Sequence, residues 1–244
     1  MSKPAIYVAI PCYNHMNVQC RQSVDQARKN CQTALVDLHY AVGDSMITRV
    51  RCNQISEFFV ESDAEWFMTI DSDLLLHNVT ADDNIFDRLL SFDVDIVGGL
   101  YAKKVAGSKF RCASVPMNDR MPEYNTGLIE MQWLSSGCML VRRSAVAAMI
   151  EAEKDVILYH GDGQYLYKPR YALYLPKIAQ LDRDGKMFLK LLSEDWAFCL
   201  RAQLAGLQIW ADTFIRITHM GEFGYMLWPT PPEGTVPVDS VPYD

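Results

Sequence analysis

Glu65-Trp66-Phe67-Met68-Thr69-Ile70-Asp71-Ser72-Asp73 runs a string of large and β-branched side chains straight into two carboxylates. An apolar run of this length bounded by polar residues reads as a buried strand, ending at Asp71. Outward from it the same grammar repeats. Ala5–Ile10 is a second short apolar run, stopped by Pro11 and opening into the loop Pro11-Cys12-Tyr13-Asn14. Gln19 to Ala34 lacks breakers and is expected to be helical, Leu35–Val42 reads as a strand, and Gly43-Asp44-Ser45 offers a turn with Ser45 as a helix N-cap.

The helix expected from about Met46 to Glu61 carries Ile47, Ile55 and Phe58 on one arc, with Arg51 inside it. A charge on an apolar face must be paired or must reach a ligand. Ile85–Ser91 is a further helix, and Asp93–Tyr101 a strand leading into Lys103 and Lys104. Glu130 to Val141 reads as a strand interrupted by Ser135-Ser136-Gly137, followed by a helix from Arg142 to Glu153. Lys154 to Lys190 is irregular and tyrosine-rich. Ser193 is placed to cap a helix with Trp196, Cys199, Leu200, Leu204 and Leu207 on one face, and Ile209–Asp212 and Phe214–Thr218 read as closing strands before His219. Beyond Trp228 five prolines prevent regular structure. The expected organisation is one domain over residues 1–227 and a proline-rich tail over 228–244.

Alternation of apolar strands and helices through the first hundred residues predicts an α/β fold, a single Rossmann-like domain whose mixed, mostly parallel central sheet is flanked by helices. In such sheets ligands sit outside the carboxyl ends of the strands, where Pro11–Asn14 and Asp71–Asp73 both fall.

Composition narrows the function. The chain has 244 residues, 50% hydrophobic and 22% charged, enough to bury a core without staples. A formal charge of −7 gives no general attraction for nucleic acid or an anionic membrane, so any anion must be held by a local site. Seven scattered cysteines with no C-x-x-C pair fit reduced, mostly buried thiols. The first strand begins too early for a signal peptide, and no apolar run approaches the roughly 20 residues of a membrane span, so a soluble cytoplasmic protein is expected. Nothing in the sequence bears on oligomeric state.

Asp71 and Asp73 flank Ser72 at one strand end. Hard oxygen ligands of this kind suit Mg²⁺ or Mn²⁺, with phosphate oxygens and waters completing the octahedron; the plain alternative is a solvated turn. Four other segments accompany the triplet in order: Ala9-Ile10-Pro11-Cys12-Tyr13-Asn14, Asp44-Ser45-Met46-Ile47-Thr48-Arg49-Val50-Arg51, Ser135-Ser136-Gly137-Cys138-Met139-Leu140-Val141-Arg142-Arg143, and Ser193-Glu194-Asp195-Trp196 with His219-Met220-Gly221 downstream. Together with Phe67–Asp73 this set resembles the GT-A class of nucleotide-sugar glycosyltransferases, most of all the small stand-alone transferases of bacteriophages, large viruses and bacteria. One departure is the spacing Arg49-Val50-Arg51-Cys52-Asn53, where such proteins often read R-x-R-N.

The resemblance implies a nucleoside diphosphate sugar as donor, UDP-linked, and a hydroxyl acceptor that could be a glycan, a protein, a lipid-linked sugar or a modified nucleobase, in a bacterial or virus-infected cell. Asp71 would contact the donor ribose, or the metal through water; Asp73 would ligate the Mn²⁺ or Mg²⁺; His219 would be a further metal ligand or would hold the diphosphate. Pro11, Tyr13 and Asn14 would meet the nucleotide, Arg49 and Arg51 the base or diphosphate, and Ser72 the same donor site. Ser136 and Gly137 would let the donor sugar approach closely. Asp195 would act as base on the acceptor hydroxyl in an inverting reaction with Glu194 orienting the acceptor, double displacement being the other route. Lys103, Lys104 and Trp196 are candidates for the acceptor cleft.

Two other readings stand beside transfer of a sugar. A nucleotidyltransferase acting on a sugar phosphate would also use paired aspartates on such a sheet, although Pro11–Gln19 holds neither glycine nor Lys/Arg for a phosphate loop. A non-catalytic nucleotide- or carbohydrate-binding module would not need Glu194-Asp195 in addition to Asp71 and Asp73.

Overall fold

The computed structural model describes residues 3–105, 112–118, 124–153, 158–160, 168–183 and 185–227; the expected proline-rich tail lies outside them. In chain order the elements of the first half are β1 (Ala5–Cys12), α1 (Val18–Asn30), β2 (Leu35–Val42), α2 (Ile47–Glu61), β3 (Trp66–Ile70), β4 (Leu74–Leu76), α3 (Ile85–Ser91), β5 (Ile96–Gly99) and β6 (Val115–Pro116). The second half holds β7 (Leu128–Trp133), β8 (Cys138–Arg142), α4 (Arg143–Ala152), β9 (Leu158–His160), β10 (Pro169–Tyr171), β11 (Lys177–Arg183), β12 (Lys186–Leu192), α5 (Glu194–Leu204), β13 (Trp210–Asp212), β14 (Ile217–Met220) and β15 (Gly224–Met226).

Eight strands form the central sheet in the order β2-β1-β3-β8-β5-β13-β7-β6. Pairing is parallel at β1/β2, β1/β3 and β13/β5 and antiparallel around β8 and β7, so six strands run one way and these two run against them. The fold is therefore α/β and Rossmann-like, with a mixed, mostly parallel sheet.

Strand alternation sends side chains to two cores. Tyr7, Phe67, Met139 and Val141 face α2, α4 and α5, while Ile6, Val8, Ile10, Met68 and Leu140 face α1 and α3. Phe67 is fully buried, 5.3 Å from Phe58 and 6.1 Å from Tyr7 between ring centroids. Its truncation to alanine would cost about 3–5 kcal/mol. All seven cysteines are free and six are buried.

Several local expectations shift. Asp93 turns with φ of 51°, so the strand expected from there is only β5. The run Glu130–Val141 is two strands, not one interrupted strand: β7 pairs with β13, and β8 is inserted between β3 and β5. Helix α2 is capped at Met46 with no side-chain bond, Asp44 rather than Ser45 accepting the Met46 amide at 2.9 Å. On α5 the buried residues are Ala197, Phe198, Cys199, Arg201 and Ala202, whereas Leu204 is exposed. The tyrosine-rich stretch holds two hairpins, β9/β10 and β11/β12, where no regular structure was expected.

Two pairings position the site. In the β3/β8 register Ile70 lies opposite Cys138, and the Asp71 amide donates to the Gly137 carbonyl at 2.9 Å. Beside the main sheet, β4 pairs with β14 so that Leu74 faces His219, and the Met220 amide donates to the Asp73 carbonyl at 2.7 Å.

Candidate functional site

At the carboxyl ends of β1, β2 and β3 three loops close around a pocket of about 230 Å³. Its walls are Pro11, Cys12 and Tyr13 at the end of β1, Asp44, Ser45, Ile47, Val50 and Arg51 around the start of α2, and Asp71-Ser72-Asp73 after β3. The Gly43 amide donates to the Tyr13 carbonyl at 2.9 Å and ties the first two loops together. Tyr13 is 57% exposed, so its ring is open to stacking by an incoming group. Asn14 is exposed and is not part of the pocket wall.

The two arginines separate. Arg49 forks onto Asp44, Nε to Oδ2 at 2.7 Å and Nη2 to Oδ1 at 2.9 Å, at the exposed rim. Arg51 is only 4% exposed and turns inward: its Nη2 donates to Asp71 Oδ1 and Oδ2 at 2.8 and 3.0 Å, and its Nη1 lies 3.6 Å from Asp195 Oδ1. The charge on the apolar arc of α2 is thus the link between the β3 carboxylate and the first turn of α5. Burial opposes the Arg51 charge, but Asp71 and Asp195 outweigh it and raise its pKa.

Glu194 and Asp195 open α5, whose cap is the Ser193 hydroxyl accepting from the Trp196 amide at 3.5 Å. The Asp195 pKa is raised, by burial first and by Glu194, against the opposing pull of Arg51. The Asp71 carboxyl is also raised, chiefly by burial, with Arg51 opposing. Ser136 is fully buried, and its carbonyl accepts from the Thr69 hydroxyl. Gly137 backs directly onto the carboxylates: a Cβ there would lie 2.3 Å from the Tyr101 hydroxyl and 2.7 Å from Asp71 Oδ2. Its small size makes room for groups of the site itself.

Asp73 behaves differently from Asp71. Despite burial, its pKa falls to about 2, because His219 and Lys104 stand at its carboxylate. Lys104 Nζ is 2.5 Å from Asp73 Oδ2, and His219 Nε2 is 3.5 Å from the same oxygen. His219 Nδ1 meets the Ala102 carbonyl at 2.8 Å. A carbonyl only accepts, so Nδ1 carries a hydrogen, and Nε2 is the ring nitrogen that faces Asp73. Among the described residues no three His, Cys, Asp or Glu side chains form a metal cage. Asp73 Oδ2 and His219 Nε2, 3.5 Å apart, are the two atoms that would hold a Mg²⁺ or Mn²⁺ ion here, its remaining ligands coming from water and phosphate.

Of the residues singled out in the sequence, Pro11, Tyr13, Arg51, Asp71, Ser72 and Asp73 line one pocket; behind them Asp195 faces Arg51, His219 faces Asp73 and Gly137 backs onto Asp71, with Ser136 and Glu194 next to Gly137 and Asp195 in the chain. Trp196 is stacked on Trp133 at 5.2 Å and roofed by the Lys190 amine at 4.1 Å. Lys104 lies on the Asp73 side of the site. Sequence reasoning missed Asp44 and Tyr101 as parts of the site. Asp44 follows a parallel strand beside Pro11, and that shared edge was the signal available for it. Tyr101 reaches the site through its hydroxyl, which accepts from the Gly137 amide at 3.0 Å, and through its ring, edge-to-face with His219 at 5.2 Å, contacts no spacing announces.

No protein-family model matches the chain, and no curated protein matches it. Among solved structures it is similar to A197 from STIV, with a TM-score of 0.54, 13% identity and 90% of each chain covered. That likeness is one of fold. Apo UDP-glucose pyrophosphorylase superimposes with a TM-score of 0.39 at 11% identity over 87% of this chain and 75% of that one. Its complex with UDP-glucose gives 0.40 at 10% identity over 90% and 93%. Among the described residues no helix is long and apolar enough to cross a membrane.

Proposed function

We propose that the protein is a glycosyltransferase that moves a sugar from a nucleoside diphosphate sugar, UDP-linked, to a hydroxyl acceptor. The observation that carries this reading is the buried Arg51 bridge, which joins the carboxylate of a D-x-D triplet to an aspartate at a helix start across one cleft. A nucleotide-binding module has no need of the second carboxylate.

In this reading Tyr13 stacks on the base, Asp71 and Ser72 hold the ribose and diphosphate side of the donor, and Asp73 with His219 holds Mn²⁺ or Mg²⁺. The bound cation supplies neutralisation of the charge that develops on the departing diphosphate. Asp195 accepts the proton of the acceptor hydroxyl as that oxygen attacks the anomeric carbon, the bond from carbon to the diphosphate oxygen breaks, and nucleoside diphosphate leaves. A carboxylate whose pKa is lifted by burial is better matched to that proton transfer than an ordinary aspartate. Glu194 orients the acceptor from the same helix turn.

Incubation of the full chain with Mn²⁺ and a panel of sugar nucleotides tests the proposal. Release of free nucleoside diphosphate together with thermal stabilisation by one donor is the expected result. Pyrophosphate release from a nucleoside triphosphate and a sugar phosphate would replace this reading with nucleotidyl transfer.

A further inference from the structure

Asp73 has more cationic company than a waiting metal ligand needs. Lys104 Nζ lies 2.5 Å from Asp73 Oδ2, the same oxygen that His219 Nε2 approaches to 3.5 Å. The Asp73 oxygen nearest His219 is the one Lys104 holds, so an ion taken between Asp73 Oδ2 and His219 Nε2 would bring ammonium and divalent cation together as like charges in contact. Both cannot stay. Asp71 already has a buried cationic partner in Arg51, whereas the cation at Asp73 is the more exposed Lys104.

Lys104 is free to move where Arg51 is not. The Arg51 side chain is 4% exposed and the Lys104 side chain 37%. The Lys104 stem passes close over Gly221, where a Cβ would lie 3.2 Å from its Cδ. Its flexible four-carbon stem carries the charge at the tip, so bond rotations alone move the ammonium by several ångströms.

We propose that Lys104 and a divalent cation exchange at Asp73: the ammonium holds the carboxylate while no metal is bound, yields it when the cation arrives, and then pairs with the diphosphate of the donor. This rests on the transfer reading above for the identity of that anion, and on this structure alone for the exchange. Lys104 is then a donor-binding residue on the metal side of the pocket, not part of an acceptor cleft.

The test uses the full chain and two probes, Mn²⁺ alone and UDP at saturating Mn²⁺, measured by isothermal titration calorimetry on wild type, Lys104→Gln and Lys186→Gln. Lys186 is exposed on the β11/β12 hairpin, and its substitution changes net charge equally. Lys104→Gln should bind Mn²⁺ about fivefold more tightly than wild type, the release of one partly exposed ion pair, and UDP about fivefold more weakly. Lys186→Gln should change neither. Effects of opposite sign separate exchange from a merely structural lysine, whose loss would weaken both. Equal Mn²⁺ affinity in wild type and Lys104→Gln, or the same gain in Lys186→Gln, overturns the exchange while leaving the metal reading standing. Absence of Mn²⁺ binding in all three chains overturns both. A gain for Mn²⁺ with unchanged UDP affinity overturns the diphosphate half.

Discussion

Arg51 stands between Asp71 and Asp195, donating to both oxygens of the first at 2.8 and 3.0 Å and facing the second at 3.6 Å. Removing one partner of a buried ion pair leaves charge uncompensated and costs about 3–5 kcal/mol. Arg51→Met should therefore lower unfolding free energy by that order in denaturant titrations, and Arg51→Met with Asp71→Asn should recover part of the loss. An additive double variant would mean that the pair is not coupled. Lysine is a poor substitute here, since a single ammonium cannot reach two carboxylates in a planar fork.

The anomaly that exposed this bridge was visible in the amino-acid sequence, because an arginine among Ile47, Ile55 and Phe58 has to be paired. Its partners were not visible, as they lie 20 positions onward and at the start of α5. The sheet was legible wherever apolar runs are buried on both faces, as in β1 and β3. It was illegible in the β11/β12 hairpin, where Ile178, Leu189 and Leu191 are 66%, 74% and 70% exposed and the apolar residues face outward. The splitting of Glu130–Val141 between β7 and β8 was equally hidden, since periodicity does not reveal which neighbour a strand takes.

Asp195→Asn keeps the size of the side chain and removes its basicity. Donor binding, read by calorimetry, should persist, while transfer falls by about 10²- to 10⁴-fold, the usual share of a general base. Near-normal transfer would remove Asp195 from the chemistry.

Because burial and Glu194 raise the Asp195 pKa, the acid limb of kcat/KM should fall at a pH above the ordinary aspartate range. Arg51 opposes that rise, so its replacement by methionine should move the limb to still higher pH. A limb that moves down, or stays, would assign the ionisation to another group.

At Gly137 a methyl group has nowhere to go, with the Tyr101 hydroxyl 2.3 Å and Asp71 Oδ2 2.7 Å from a Cβ. Gly137→Ala should destabilise by about 1–3 kcal/mol and weaken donor binding. Adding Tyr101→Phe leaves the ring carbon 2.8 Å from that Cβ and takes away the acceptor of the Gly137 amide, so it should not restore the stability in thermal melts.

Glu153, the C-terminal cap of α4, accepts from Lys177 at 2.6 Å and from Arg201 Nε at 2.7 Å, clamping β11 and α5 to α4. Burial works against its charge, but Lys177 and Arg201 prevail and depress its pKa. A depressed carboxylate stabilises the fold above its unfolded value and loses that effect as pH falls through the folded one. Glu153→Gln should cost about 2–3 kcal/mol near neutrality, and the difference from wild type should shrink as pH drops below about 4. A difference independent of pH would point to packing instead.

The bond from the Met220 amide to the Asp73 carbonyl joins a residue made early to one made late. A growing chain can complete β1, β2 and β3 while His219 is still inside the ribosome. Its pocket then has walls and the two carboxylates of Asp71-Ser72-Asp73, but neither the imidazole nor the strand that steadies Asp73. Contacts of such long sequence separation form late and slowly. In the transfer reading proposed above, competence to hold the cation would thus wait for the synthesis of His219, long after the strand that leads to Asp73 is made.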